Sequence, residues 1–322
     1  MSPDTVLVTG AAGFIGSHCC AALLRAGHRV VGLDNFDPFY PRKIKEAGLE
    51  ALSAMDGFEF HEGDIRDQNL THRLVAGVSV VLHLAARAGV RPSIQDPVGY
   101  VSVNVEGTAQ LLEACHQAGT RRFVFGSSSS VYGDSTAAPF REDAPALDPI
   151  SPYAATKRAG ELLCHTFVHL YGLRIAALRF FTVYGHRQRP DLAIHKFTRL
   201  LASGERIERF GDGSSERDYT HVDDIVRGVV GAIEWTNTDT SGFEVFNLGE
   251  SQTVSLGRLI DLIGRALDVE PKITQLSDQP GDVRITYADI GKARRILGYS
   301  PAVDIEAGIA DFVAWYKEEH GS

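Results

Sequence analysis

Tyr153 and Lys157 stand four residues apart in "SPYAATK", the spacing that puts two side chains on one face of a helix. Pro152 suits a first helical position, which places the pair in the opening turns of that helix. An ammonium beside a phenol favours the tyrosinate and lowers its pKa toward neutrality, so the oxygen can serve as both base and acid. Solvated helices carry the same spacing by chance, and its meaning therefore rests on its company. Ser127, Ser128, Ser129 and Ser130 close the apolar run of "RRFVFGSSSS". At the carboxyl end of a parallel strand such hydroxyls meet ligands. There they can hold an alcohol and share its proton with the tyrosinate, although four serines also make a polar loop.

A second group of residues points to a nucleotide. "VTGAAGFIG" places Gly10, Gly13 and Gly16 after a strand-like run, with Phe14 and Ile15 opening a helix. Glycines there permit a tight turn and let the helix N-terminus approach a pyrophosphate. The spacing is GxxGxxG and departs from the general GxGxxG fingerprint. Asp34 ends the second strand 18 residues after Gly16, where a carboxylate accepts hydrogen bonds from a ribose diol and repels a 2′-phosphate, so NAD is expected over NADP. Arg42 and Lys43 in the following "NFDPFYPRK" are the residues that would reverse this by folding back onto a phosphate. Asp64 in "GDIRD" is placed either to receive an adenine amino group or to cap a helix.

These residues need a scaffold, and the chain supplies one. "TVLVTG", "HRVVGLD", "GFEFHEGD", "VSVVLHLAA", "RRFVFGSS" and "LRIAALRF" read as strands separated by segments of helical length and period. Strand–helix alternation predicts an α/β fold, a Rossmann-type doubly wound parallel sheet covered on both faces. After Thr182 the pieces shorten, so residues 1–181 are expected to form the sheet domain and 182–322 mainly a smaller region, with the chain free to cross back. The composition, 44% hydrophobic and 23% charged over 322 residues, supports a large core. A net charge of −9 argues against a nucleic-acid surface and leaves room for a local basic pocket. No run of 18 apolar residues and no leader pattern occurs, so no membrane association and a cytoplasmic location are expected. Cys19, Cys20, Cys115 and Cys164 lack metal-ligand spacing and read as reduced packing residues, with no metal site.

In combination these motifs resemble the extended short-chain dehydrogenase/reductase family over nearly the whole chain, through "TGAAGFIG", "GDIRD", "HLAA", "SSSSVYG", "YAATK", "LRFFTVYG" and "RDYTHVDD". The resemblance implies a tightly held NAD, regenerated in each cycle and contacted by Gly10, Gly13, Phe14, Ile15, Gly16, Asp34, Asn35, Asp64, Ile65, Leu84, Ala85 and Ala86. It implies a catalytic group of Ser128, Tyr153 and Lys157, with Lys157 also on the nicotinamide ribose. A nucleotide-sugar substrate in the C-terminal region and a homodimer follow from the same likeness. Relatives that add dehydration or decarboxylation carry acids where this chain has Ser129 and Ser130, so the reaction implied is the simpler one: oxidation at C4, rotation of the ketose, and return of the hydride to its other face.

The choice of sugar rests on arginines. "AARAGVRPSI", with Arg87 and Arg91, and "TVYGHRQRPD", with Thr182, Arg187 and Arg189, are similar to the segments of family members that act on UDP-glucuronate more than to those that act on UDP-galactose. Arginine meets a carboxylate in bidentate geometry, but each of these side chains suits a phosphate or a surface acid as well. By the same resemblance Arg217 faces the diphosphate and Asp282 the uridine ribose, while Gln279 replaces a family arginine. Lys196 either assists or lies on a solvated helix face. His83 and Tyr132 read as packed strand-end residues. UDP-glucose epimerisation and a non-catalytic NAD-binding scaffold are the alternatives to UDP-glucuronate epimerisation.

Overall fold

The computed structural model describes residues 3–134, 136–237, 242–277 and 284–321. Through its first half the chain runs β1 (Thr5–Thr9), α1 (Phe14–Arg25), β2 (Arg29–Asp34), α2 (Arg42–Ser53), β3 (Phe58–Glu62), α3 (Gln68–Val75) and β4 (Val80–His83). Next come α4 (Val90–Gln95), α5 (Pro97–Val101), a π-helical turn (Ser102–Glu106), α6 (Gly107–Ala118), β5 (Arg122–Ser128), α7 (Pro152–Tyr171) and β6 (Arg174–Phe180). The remainder comprises β7 (Thr182–Tyr184), α8 (Ala193–Ala202), β8 (Ile207–Phe210), β9 (Glu216–Arg217), β10 (Tyr219–His221), α9 (Val222–Trp235), β11 (Gly242–Leu248), β12 (Val254–Ser255), α10 (Leu256–Leu267), β13 (Ile273–Leu276), α11 (Gly291–Leu297) and α12 (Ile305–His320).

Seven parallel strands form one sheet in the order β11-β6-β5-β4-β1-β2-β3. The order reverses between β1 and β4, and a ligand crevice opens at the carboxyl ends on either side of such a switch. Alternate side chains of β1 enter two different cores. Val6 and Val8 pack with α1 and α9 residues such as Leu23, Ile225 and Val229, whereas Leu7 packs with Leu74, Leu111 and Cys164 from α3, α6 and α7. Burial on both faces explains why these strands read as continuous apolar runs.

Past Thr182 the chain leaves the sheet and returns to it. α9 and α11 pack into the core that holds α1, and β11 pairs in register with β6 from Gly242 opposite Arg174 to Leu248 opposite Phe180. A third core joins α8, α10 and α12 through Phe197, Leu201, Leu259, Ile263, Ile309 and Phe312. Short strand pairs, β7 with β10, β8 with β13 and β9 with β12, tie this smaller region together.

The turn from β1 into α1 leaves no room for a side chain at Gly10 or Gly16. Gly10 takes φ +74°, and a Cβ on Gly16 would stand 2.0 Å from the Gly10 carbonyl oxygen. The atom met is backbone, so relief requires moving the helix start. Gly16→Ala should lower the thermal midpoint by about 1.5–4.5 °C, the range given by an overpacking cost of about 1–3 kcal/mol in a chain of this length; an unchanged melting curve would show that the turn relaxes freely.

Candidate active site

A cavity of about 490 Å³ opens at the switch point. Gly10, Gly13, Phe14, Ile15 and Gly16 wall one end. Gly13 caps α1 without a side-chain acceptor, which leaves the first-turn N–H groups to an anionic ligand. Asp34 is buried at the end of β2. One of its oxygens accepts from Ala12 N at 3.1 Å and the other from Phe36 N at 2.8 Å. Burial raises its pKa, while Lys45 and the two N–H groups work the other way. Each carboxylate oxygen keeps a lone pair for a ribose hydroxyl. Ile65, Leu84, Ala85 and Ala86 complete this end, and the residues present fit a dinucleotide.

The neighbouring charges are spoken for. Arg42 lies over the Phe36 ring at 4.0 Å and pairs with Glu46 and Glu62, away from the cavity, and Lys43 is exposed. Of the lysines on α2, Lys45 lines the cavity, buried, with Nζ donating to Asp37 O at 2.9 Å. Asp64 holds Arg66 through bonds of 2.8 and 2.7 Å and accepts from Asn35 Nδ2 at 2.9 Å. Arg66 lowers the Asp64 pKa to about 2. Its carboxylate is outside the cavity lining, and the capping of α3 falls to Asp67, which accepts from Leu70 N at 3.1 Å.

Ser128, Tyr153 and Lys157 all line the same cavity. Ser151 caps α7 by accepting from Ala154 N at 3.1 Å, and Pro152 opens the helix, so Tyr153 sits in its first turn. Ser128 ends β5, with its Oγ donating to Ser130 Oγ at 3.2 Å, and its side chain draws the Tyr153 phenol pKa down. Lys157, one turn further on, donates to the Gly126 carbonyl at 2.7 Å.

The expected lowering of the tyrosine by the lysine is not what the geometry produces. Burial raises the Tyr153 pKa; Ser128 and then Arg189 pull it back in part. Lys157 is committed to Gly126 O, and burial has lowered its own pKa to about 8. The cation acting on the phenol is Arg189.

A hydrogen-bond relay beneath the site escaped the sequence reading. Thr9 Oγ1 and His83 Nδ1 are 2.7 Å apart, and His83 Nε2 lies 3.0 Å from Thr108 Oγ1. Thr108 donates its single proton to Asn104 O at 2.6 Å. Nε2 must therefore carry the histidine proton, and Nδ1 accepts from Thr9. Asn104, turned inward by the π-helical turn, accepts from Arg87 N at 2.8 Å and donates to Arg87 O at 2.9 Å and Thr156 Oγ1 at 3.0 Å. Thr156 in turn donates to Tyr153 O at 2.8 Å. The only sequence signal was an asparagine and a threonine inside a helical pattern, "NVEGT".

At the opposite end stand Ser129, Ser130, Thr182, Arg87 and Arg189. Arg189 donates through Nε and Nη2 to Asp191 at 3.0 and 2.7 Å, and its guanidinium lies over the Phe39 ring at 4.9 Å. Arg87 pairs with Asp96 and lies 3.7 Å from Asp37. Arg91 lies over Phe210 at 5.3 Å, Arg187 packs toward α2, and neither walls the cavity. Lys196 on α8 and Arg217 on β9 also lie outside its lining; Arg217 donates to Glu216 O at 2.9 Å. Asp282 and Gln279 fall outside the described residues. Among the described residues no cluster of metal-ligating side chains occurs, and no helix is long and apolar enough to cross a membrane. Cys19, Cys20, Cys115 and Cys164 are free and buried.

Comparison with known proteins places this site in a family. The model of the NAD dependent epimerase/dehydratase family matches residues 6–249. The chain is 43% identical to UDP-glucuronate 4-epimerase 2 of Arabidopsis thaliana over 97% of its own length and 75% of that protein. It is 39% identical to UDP-glucuronate 4-epimerase of Thermodesulfobacterium geofontis, covering 97% and 96% of the two chains. Among solved structures, the UDP-glucuronic acid 4-epimerase of Bacillus cereus in complex with UDP-glucuronic acid and NAD superimposes with a TM-score of 0.92 at 38% identity, covering 98% and 100%. The protein belongs to the NAD dependent epimerase/dehydratase family, an extended short-chain dehydrogenase/reductase fold.

The relay makes a pH-dependent prediction. Burial lowers the His83 pKa to about 3, and the Lys157 charge adds to the effect. Between pH 6.5 and 3 the unfolded chain therefore binds a proton that the folded one refuses, and stability falls as pH drops through that window. The share of His83 is about 2 kcal/mol between pH 6.5 and 5. In urea unfolding, His83→Gln should lose less stability than the native chain between pH 7 and pH 5; equal losses would remove His83 from the account.

Proposed function

We infer that the protein catalyses reversible NAD-dependent epimerisation at C4 of a UDP-sugar, interconverting UDP-glucuronate and UDP-galacturonate through a 4-keto sugar. The observation that carries this reading is one cavity lined by Ser128, Tyr153 and Lys157 together with hydroxyls at Ser129 and Ser130 and the guanidinium of Arg189. NAD, when bound, supplies the hydride acceptor and donor. The N-terminus of α1 holds the pyrophosphate, Asp34 the adenosine ribose, and Lys157 the nicotinamide ribose. The engagement of Arg42 with Glu46 and Glu62 favours NAD over its 2′-phosphorylated form.

Ser128 orients the C4 hydroxyl, and Tyr153 Oη takes its proton in one direction and returns it in the other. A phenol raised by burial is a strong base once ionised, and Arg189 stabilises the ionised form. Hydroxyls at Ser129 and Ser130 provide no acid or base for elimination or decarboxylation, which leaves return of the hydride as the outcome. Arg189 and Thr182 meet the sugar carboxylate, and Arg217 and Asp282 the UDP moiety. Exposed Val98 and Val101 on α5, with Leu162 and Leu170 on α7, support a homodimer through these adjoining helices. The acidic composition suits the cytoplasm.

Purified protein incubated with UDP-glucuronate, without added NAD, should form the C4 epimer, and UDP-glucose at equal concentration should turn over more slowly. Unchanged UDP-glucuronate with folded, NAD-loaded protein would overturn the reading. Tyr153→Phe should retain its NAD and lose about 10²–10⁴-fold in kcat; turnover near the native rate would remove Tyr153 from proton transfer.

A further inference from the structure

The loop between β2 and α2 begins at Asp34, on the nucleotide side of the cavity, and ends against the sugar side. Asp34, Asn35, Asp37, Phe39 and Tyr40 all line the cavity. Successive side-chain bonds to the backbone two residues on stiffen the loop: Phe36 N to Asp34 Oδ1 at 2.8 Å, Asp37 N to Asn35 Oδ1 at 3.0 Å, and Phe39 N to Asp37 Oδ1 at 3.0 Å. Lys45 closes it from α2 by donating to Asp37 O at 2.9 Å. This rigid strip delivers the Phe39 ring to the Arg189 guanidinium, 4.9 Å from the ring centroid.

Arg189 has a second support, but a local one. Asp191, which holds its Nε and Nη2, lies two residues away on the same segment and its side chain is 41% exposed, against 16% for Arg189. An arginine and an aspartate on one short segment can swing together without breaking their bond. The Phe39 ring comes from a distant part of the chain and fixes the guanidinium relative to Tyr153. A cation over an aromatic face gains most where water is scarce, as it is around this side chain.

We propose that Phe39 is a positioning residue for Arg189, and that the β2–α2 loop thereby sets the preference for an acidic over a neutral UDP-sugar. The proposal rests on the reading that Arg189 meets the sugar carboxylate. A guanidinium held in place is matched by a carboxylate and left unsatisfied by a hydroxymethyl group. A guanidinium free to swing loses part of that distinction.

The test uses NAD-loaded protein carrying Phe39→Leu or Phe39→Tyr, each alone and with Arg189→Ala, with NAD content and melting curves checking the fold. Phe39→Leu should lower the ratio of kcat/KM for UDP-glucuronate over UDP-glucose about tenfold, within the range of a desolvated cation–π contact. Phe39→Tyr, which keeps the ring, should stay near the native ratio. With Arg189 already replaced by alanine, Phe39→Leu should change the ratio no further. An undiminished loss in that background, or no loss in the native one, overturns the proposal. A crystal structure of the Phe39→Leu holoenzyme reads the same inference without any sugar: a displaced guanidinium supports it, and an unmoved one overturns it. Failure of the native protein to turn over UDP-glucuronate would instead overturn the reading of the substrate, independently of where Arg189 stands in that crystal.

Discussion

Glu161 is completely buried, and the docking of α7 follows from satisfying its charge. Arg179 on β6, itself 2% exposed, grips both carboxylate oxygens at 2.8 Å; Ser127 on β5 donates at 2.7 Å and Arg158 at 2.8 Å. Burial opposes the charge, and Arg179, Ser127 and Arg158 outweigh it, leaving the Glu161 pKa lowered. The Tyr132 ring covers Arg179 at 4.6 Å, and its hydroxyl donates to Asn247 on β11 at 2.7 Å. Breaking such a pair by removing one partner costs about 3–5 kcal/mol, because a lone charge is left without water. The network therefore allows α7 one position against β5 and β6. Since Lys157 precedes Glu161 by one helical turn and Tyr153 by two, their depth in the cavity is set by the same docking.

Arg189 joins Lys157 in the electrostatics that the spacing in "SPYAATK" assigns to the lysine alone. Lys157 is pinned to the Gly126 carbonyl at the end of β5 and weakened by burial. Arg189 arrives from beyond β7, lines the same cavity and draws the Tyr153 phenol pKa down in part. The phenol is thus raised by burial and drawn back in part by a cation that lines the same cavity.

Which features were legible in the sequence follows from how local they are. The glycine turn, Asp34 and the serine strand end each lie within one strand–helix junction, so spacing alone located them. "FEVFNLGE" reads as a strand in isolation, but its place beside β6 depends on a pairing across more than sixty residues of intervening chain. Arg42 and Lys43 drew attention as the nearest cations to Asp34, yet helical phase turns Lys45 inward and Arg42 out to Glu62. Asn104 is aimed inward by a π-helical turn that no residue pattern announced. Tyr153 and Lys157 were correctly read as sharing a helix face; what spacing could not convey was that Lys157 donates to the Gly126 carbonyl and that burial raises the phenol pKa.

Asp34 carries a constraint on how this protein can change. Its two oxygens bind Ala12 in the glycine turn and Phe36 at the start of the loop that reaches Phe39. A lineage drifting toward a phosphorylated cofactor would have to give up this carboxylate, and would lose with it the brace of the phosphate-binding turn and the first rung of the strip beneath Arg189. On the roles proposed for Asp34, Phe39 and Arg189, cofactor choice and sugar choice are therefore not separately editable traits: a single exchange at one strand end disturbs the supports of both.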